Sequence, residues 1–205
     1  WGINPNLIET YPDIIEHYYK TRSINDYFGA DASCAGYINP NRVKKEYLSL
    51  FIKHNQKFYS QADMSLSPMV LDWDEPTSDV KDAFLEFSPD GFATIVMDLH
   101  NTGGKPPKPH VWKGMPVMEL INSACNFHSV EEEANLISNS IPYESSKRQP
   151  PFYLFRIIWT SPSQVIKTMD LVKKERSDLD IVITDPYNFF RLFKEYLQST
   201  NLDVG

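Results

Sequence analysis

Short apolar segments alternate with amphipathic helical patterns along most of this 205-residue chain. Apolar residues spaced at i, i+3 and i+4 predict helices over about residues 6–20, 42–59, 78–87, 130–139, 163–174 and 187–198. Strand candidates occupy residues 27–30, 69–71, 92–97, 117–121, 153–159 and 181–183. A strand followed by a helix, repeated along the chain, is typical of a parallel sheet covered by helices, so the sequence predicts an α/β fold.

Prolines mark several of the expected helix starts. Asn39-Pro40, Ser161-Pro162 and Asp185-Pro186 each place a capping residue before a proline. Proline suits the first helical position because the N–H that it lacks would have no partner there. Asp185 is therefore predicted to be a helix N-cap. The stretch 101–113, which is rich in Gly and Pro, is predicted to be an ordered excursion or a mobile lid.

Composition excludes several classes of protein. Hydrophobic residues make up 41% of the chain, which excludes disorder, and two cysteines are too few for a disulfide scaffold. The net charge of −7 argues against a partner that presents nucleic-acid phosphates. The sequence contains no apolar run near the ~18 residues that a membrane span needs. Whether Cys34 and Cys125 form a disulfide stays open.

Polar and aromatic residues follow the predicted strands, where parallel α/β folds place their working groups. They are Asp31 after the first strand, Asp72, Trp73 and Asp74 after the second, Asp98 and His100 after the third, Asn122 after the fourth and Trp159 after the fifth. Carboxylates and amides hydrogen-bond sugar hydroxyls, while aromatic rings contact sugar C–H faces. Such a rim predicts a carbohydrate site. The plainer interpretations are a solvated Asp74 and core packing for Trp73 and Trp159.

Other chemistries are less well supported by the motifs. Asp98 and His100 alternate along a strand and could share a metal ion, with His128 as a third ligand, but no HExxH or CxxC spacing is present. Phosphate-binding loops and the G-x-G-x-x-G pattern are absent too, so no cofactor is expected. Cys34 as a nucleophile would need a base that the sequence does not locate.

Two segments carry a resemblance to a known family. WGINPNLIETYPDIIEHYYKT (1–21) and NDYFGADASCAGYINP (25–40) resemble the C-terminal domain of the GxGYxYP putative glycoside hydrolases, which are largely bacterial. Gly36, Tyr37 and Pro40 match the name motif. Cys34 stands where its first Gly is expected, and Asn39 where its second Tyr is expected. Loss of that Gly would alter the loop if the position needs a positive φ.

The resemblance implies a (β/α) barrel-like domain, related to the TIM barrel and spanning residues 1–205. Six strand candidates are too few for an eightfold barrel, so its beginning is expected to lie before Trp1. The family also implies activity on glycans, an extracytoplasmic location and an N-terminal companion domain.

The resulting hypothesis is a glycoside hydrolase-like domain. Asp98 and Asp72 form its catalytic pair, with Asp31 and Asp74 in reserve. Tyr37, Trp73, Trp159 and Asn122 are expected to contact the sugar. The alternatives are a non-catalytic glycan-binding or scaffold module and a metal-dependent carbohydrate deacetylase.

Overall fold

The protein is described here by a computed structural model that covers residues 1–31, 33–72, 75–96, 105, 107–125, 128–142 and 150–200, with only the backbone described at 71–72, 96 and 122–125. The chain divides into two compact units. Unit 1 comprises Trp1–Glu119 and Thr184–Gly205, and unit 2 comprises Leu120–Ile183.

The described residues form a mixed α/β structure. In chain order its strands and helices are β1 (Gly2–Ile3), α1 (Leu7–Thr10), α2 (Pro12–Thr21), β2 (Gly29–Ala30), α3 (Leu48–Gln61), β3 (Leu66–Asp72), α4 (Ser78–Leu85), β4 (Gly91–Val96), β5 (His110–Trp112), β6 (Met115–Glu119), β7 (Ile121–Cys125), α5 (Val130–Ser140), β8 (Phe155–Ile158), α6 (Pro162–Glu175) and α7 (Pro186–Thr200). Strands and helices alternate over β2–β4, whereas β4, β5, β6 and β7 follow one another without an intervening helix among the described residues. Short 3₁₀ helices at Pro40–Arg42 and Lys45–Tyr47 precede α3.

Unit 1 contains a four-stranded sheet of order β3-β4-β6-β5 and a parallel pair, β1 and β2. Strands β3, β4 and β6 are parallel, whereas β5 is antiparallel to β6. The loop after β2 contacts β3, because the Ser33 N–H donates to the Met69 carbonyl at 3.2 Å. A Cβ at Gly29 would contact Pro68 and Leu66, whereas Ser33 bonds to Met69, so β2 runs in the same direction as β3. The strands β2, β3, β4 and β6 thus define a carboxyl edge, where they end, and an amino edge, where they begin.

The core of unit 1 lies between the sheet and its helices. The rings of Phe84 in α4 and Phe92 in β4 are 4.3 Å apart, and the Tyr59 hydroxyl of α3 is 2.6 Å from the Ser67 hydroxyl of β3. At Gly91, an added Cβ would lie 2.5 Å from the Phe190 ring of α7. Adjacent strand residues face opposite sides, so helices cover both faces of the sheet where β4 begins.

Unit 2 is a smaller βα assembly. Strands β7 and β8 are parallel, and α5 packs against α6 through a core of Ala134, Ile137, Ile141 and Val172. Both helices begin with a capping box, Ser129 with Glu132 and Ser161 with Gln164. The Ser161-Pro162 prediction is therefore confirmed.

The predicted barrel is wrong. Within the described residues the strands form sheets of two, four and two strands, and no closed barrel is present. Strand β5 is antiparallel and occupies the edge of β6 that the next parallel strand of a barrel would need. The C-terminal end of the stretch 101–113, expected to hold no regular element, forms β5. Half of the remainder of that stretch, residues 101–104 and 106, lies outside the described residues.

Two further element predictions are corrected. No strand forms at 181–183, where Val182 is 79% exposed and gains no sheet partner. The helix expected over 6–20 is broken at Tyr11, because the following Pro12 disfavours a helical conformation in the residue before it; Tyr11 has φ −142° and ψ 59°. No helix in the described part of the chain combines the length and apolar character that a membrane crossing requires.

Candidate functional site

The carboxyl edge of unit 1 holds several of the predicted site residues. Asp31 directly follows β2 and Asp72 ends β3. A Cβ at Gly2 would overlap the Asp31 carboxylate, so the lack of a side chain at Gly2 makes room for Asp31. Glu119, which ends β6, is a further carboxylate at this edge. Sequence reasoning missed it because the predicted strand continued to residue 121.

Four of the other predicted residues are not described, and two more belong to unit 2. Asp98, Asp74, Trp73 and His100 lie outside the described residues. Asn122 lies in β7 and Trp159 follows β8, both in unit 2. Trp159 is 79% exposed and has a φ of 56°. A positive φ strains the backbone of a bulky residue, and such strain clusters at functional sites.

Residues 33–40, called the motif loop below, have an unusual backbone. Ser33, Cys34 and Gly36 have φ values of 76°, 69° and 132°. The position at which the family has its first Gly is thus left-handed here, although Cys34 occupies it. Left-handed backbone costs an L-residue about 1–2 kcal/mol, so the surrounding contacts must offset this strain.

Two side chains of α3 hold the motif loop. Asn55, which is fully buried, accepts a hydrogen bond from the Ala35 N–H at 2.8 Å and donates to the Phe51 carbonyl at 2.9 Å. His54 Nε2 lies 3.1 Å from the Ala35 carbonyl oxygen. Sequence reasoning missed Asn55, although its position among the apolar residues of the buried helix face was a signal.

Asparagines connect the motif loop with the segment after β3. The Asn39 side chain accepts from the Asn41 N–H at 3.0 Å, which confirms the helix start predicted at Asn39-Pro40. Asn41 then donates to the Glu75 carbonyl at 3.2 Å and accepts from the Thr77 N–H at 3.1 Å. These bonds fix the positions of two successive loops at the carboxyl edge.

An apolar groove of about 490 Å³ opens beside the motif loop and is called the motif groove. Tyr37 is 77% exposed there, and Tyr47 and Leu50 of the neighbouring wall are also more than half exposed. Contiguous exposed apolar side chains of this kind mark interaction sites on soluble proteins. The groove lies directly after β2, next in the chain to Asp31.

The Cys34 thiol does not suit the nucleophile role. It is a free, fully buried cysteine, and burial raises the pKa of its thiol, although the Ala35 N–H and Asn55 partly oppose this effect. A nucleophilic cysteine needs a lowered pKa and some access to solvent. Cys34 is a packing residue with a free thiol.

Replacing Cys34 with Gly is expected to give a protein about 1 kcal/mol more stable than the Cys34→Ala variant, because only alanine keeps a Cβ in left-handed backbone. Both variants lose the sulfur atom, so they differ only in the Cβ that the left-handed backbone must accommodate. The free energy of unfolding in urea measures it. Equal stabilities would show that the positive φ at this position carries no strain.

The structure bears on the metal hypothesis and on the predicted cap at Asp185. The described residues contain no group of three His, Cys, Asp or Glu side chains placed to hold a metal ion. His128 is exposed in unit 2. Asp185 accepts from the Asn188 N–H at 3.0 Å at the start of α7, so its predicted role as an N-cap is confirmed.

Together the fold and the motif loop define an α/β domain with its candidate site on the loop after its second strand. The sequence profile of the GxGYxYP putative glycoside hydrolase C-terminal domain matches residues 1–194, and the chain belongs to that family. The resemblance described above is thereby confirmed. No curated protein matches the chain.

The fold also occurs in a known crystal structure, that of a putative hydrolase from Bacteroides thetaiotaomicron. The two proteins share 17% sequence identity with a TM-score of 0.66, and the match covers 96% of this chain. It covers 38% of the neighbour, so this chain corresponds to well under half of that protein. At this identity the likeness concerns the fold alone.

Proposed function

We propose that this domain binds glycans in the motif groove and cleaves glycosidic bonds with carboxylates of the carboxyl edge. The observation that carries the proposal is the exposed Tyr37 ring in a groove directly after the strand that leads to Asp31. Membership of a family of putative glycoside hydrolases supports the choice of substrate class.

The binding half of the proposal follows from the chemistry of sugars. A pyranose ring has an apolar C–H face that packs on tyrosine, and Tyr37 and Tyr47 both line the groove. The volume of the motif groove, about 490 Å³, falls within the ~300–1,000 Å³ range of small-molecule sites. Trp73, Trp159 and Asn122 are proposed as additional sugar contacts.

The catalytic half needs two carboxyl groups, one to protonate the leaving oxygen and one to act as nucleophile or base. We assign these roles to Asp72 and Asp98, with Asp31 and Asp74 as alternatives and Glu119 as an additional candidate at the end of β6. The proposed setting is an extracytoplasmic protein in which a companion domain accompanies this one.

A panel of polysaccharides tests the proposal by binding and by release of new reducing ends. Wild-type protein is expected to release reducing ends from at least one glycan, and Tyr37→Ala is expected to weaken binding to that glycan about tenfold, or ~1.4 kcal/mol. Tyr11→Ala, which removes a ring 59% exposed outside the groove, is the matched control and is expected to bind normally.

Three outcomes separate the hypotheses. Binding that depends on Tyr37 without any release of reducing ends would favour the non-catalytic module, to which the departures at Cys34 and Asn39 from the family motif also point. Binding that is indifferent to Tyr37 would remove the motif groove from the site. No binding and no release on any glycan would overturn the proposal as a whole.

A further inference from the structure

A second cavity, of about 590 Å³, lies at the amino edge of unit 1, opposite the motif groove. Phe28, Ser65 and Asp90 each immediately precede a strand and line it from the sheet, and the first half of α7 lines it from the other side. The seven residues of β3 separate this cavity from the carboxyl edge, a distance of about 20 Å at ~3.3 Å per residue. It therefore belongs to neither the motif groove nor the proposed catalytic edge.

Aromatic rings form part of the cavity wall. Tyr27 is partly exposed, and its ring centroid lies 6.4 Å from that of Tyr187 at an angle of 51°. Tyr19 also lines the cavity, with the Arg22 guanidinium 5.2 Å from its ring centroid. Rings that line a cavity and carry a polar tip suit a ligand with both C–H faces and hydroxyl groups.

The charges of the lining balance. Three acids and three bases face the cavity: Asp63, Asp90, Asp185, Arg22, Arg191 and Lys194. The lining therefore has no net charge, although the whole chain carries −7. An anionic ligand would meet three carboxylates and a cationic ligand three bases, so the balance favours a neutral ligand.

Several of these groups are already fixed by contacts within the protein. Asp90 accepts from the Ser65 hydroxyl at 2.5 Å. Arg191 donates to Glu195 at 2.8 Å and to the Asn188 side-chain oxygen at 3.2 Å. Fixed carboxylates accept hydrogen bonds from hydroxyls and fixed guanidinium groups donate to them, and prior ordering lowers the entropy that binding costs.

From these features we propose that the amino-edge cavity is a second binding site for neutral carbohydrate, separate from the motif groove and without a catalytic role. Two sites on one domain let a polysaccharide engage both, which raises the avidity for polymers over short oligosaccharides. The proposal concerns binding alone, and it would stand even if the domain cleaved nothing.

Affinity electrophoresis in native gels tests the second site, with neutral polysaccharides (galactomannan, arabinoxylan, mixed-linkage glucan and starch) and charged ones (polygalacturonate and heparin) as probes. Wild-type protein is expected to be retarded by at least one neutral polymer. Tyr27→Ala and Arg191→Gln are each expected to raise the dissociation constant five- to tenfold. Tyr18→Ala removes a partly exposed ring of α2 that does not line the cavity, and it is expected to behave as wild type.

Combination with the motif groove completes the test. A Tyr37→Ala protein is expected to keep residual retardation, which Tyr27→Ala then abolishes, while thermal unfolding shows that both variants are folded. The proposal is overturned if Tyr27→Ala and Arg191→Gln bind every polymer as wild type does, if only charged polymers retard the protein, or if none does. If wild-type protein releases no reducing ends from any polymer while its retardation still depends on Tyr27, the result contradicts the catalytic proposal alone.

Discussion

An Arg176→Ala variant is expected to lose about 3–5 kcal/mol of stability in unit 2, because the substitution leaves three backbone carbonyl oxygens without their donor, at a cost of about 1–3 kcal/mol each. Arg176 is fully buried. Its guanidinium donates to the carbonyl oxygens of Ser138 and Pro142, each at 3.0 Å, and to that of Ile141. It also binds the Asp178 carboxylate at 2.8 Å, and this hydrogen bond holds the pKa of Asp178 below its usual range.

Hydrogen exchange of the α5 and α6 amides measures this effect where it occurs, which matters because a chain of two compact units need not unfold in one step. Arg191→Ala is the matched control. It removes an exposed arginine that pairs with Glu195 one turn away, a contact worth about 0.5 kcal/mol or less. Exchange rates in Arg176→Ala equal to those of wild type would mean that the three carbonyls find other partners.

Four of the helices and their starts could be predicted because their signals are local. The predicted ranges for α4, α5, α6 and α7 agree with the structure to within two residues at each end. The Asp185 cap needs only the next three residues to form. Apolar periodicity and capping residues are both contained in such short windows.

The sheet arrangement could not be predicted in the same way, because strand pairing depends on distant residues. Strand β5 pairs antiparallel with β6, and no local sequence signal distinguishes it from the preceding Gly- and Pro-rich stretch. The segment 181–183 has the composition of a strand, yet it forms no ladder, and Ile183 is 53% exposed. The predicted barrel rested on the family resemblance, and at both segments the described structure departs from the parallel sheet that a barrel needs.

The features of the candidate site also divide into those that depend on nearby residues and those that depend on distant ones. That Asp31 and Asp72 reach one edge could be predicted, since both follow strands that run the same way. The support of the motif loop could not be predicted, because Asn55 lies twenty residues from Ala35, whose N–H donates a hydrogen bond to it. The left-handed backbone at Cys34 was likewise invisible without the family pattern, which has glycine there.

Under the proposed function, Asp72→Asn is expected to reduce the rate of glycoside cleavage by about 10²–10⁴-fold, the usual contribution of a positioned acid or base. Asparagine has nearly the size and shape of aspartate but neither donates a proton nor attacks the sugar, so glycan binding is expected to persist. Asp79→Asn is the control, since this carboxylate lies seven residues further on, is half exposed and pairs with Lys45 at 3.1 Å. It is expected to leave the rate unchanged.

The identity of the leaving group then distinguishes the two roles that Asp72 could have. If Asp72 is the general acid, the Asp72→Asn variant loses much less activity on aryl glycosides with acidic leaving groups than on natural glycans, because an acidic leaving group departs with little protonation. If it is the nucleophile or base, both classes lose activity equally. Wild-type rates for Asp72→Asn on both classes would show that the end of β3 takes no part in the reaction. The assignment would then pass to Asp98 with Asp31, Asp74 or Glu119, each tested by the same amide substitution.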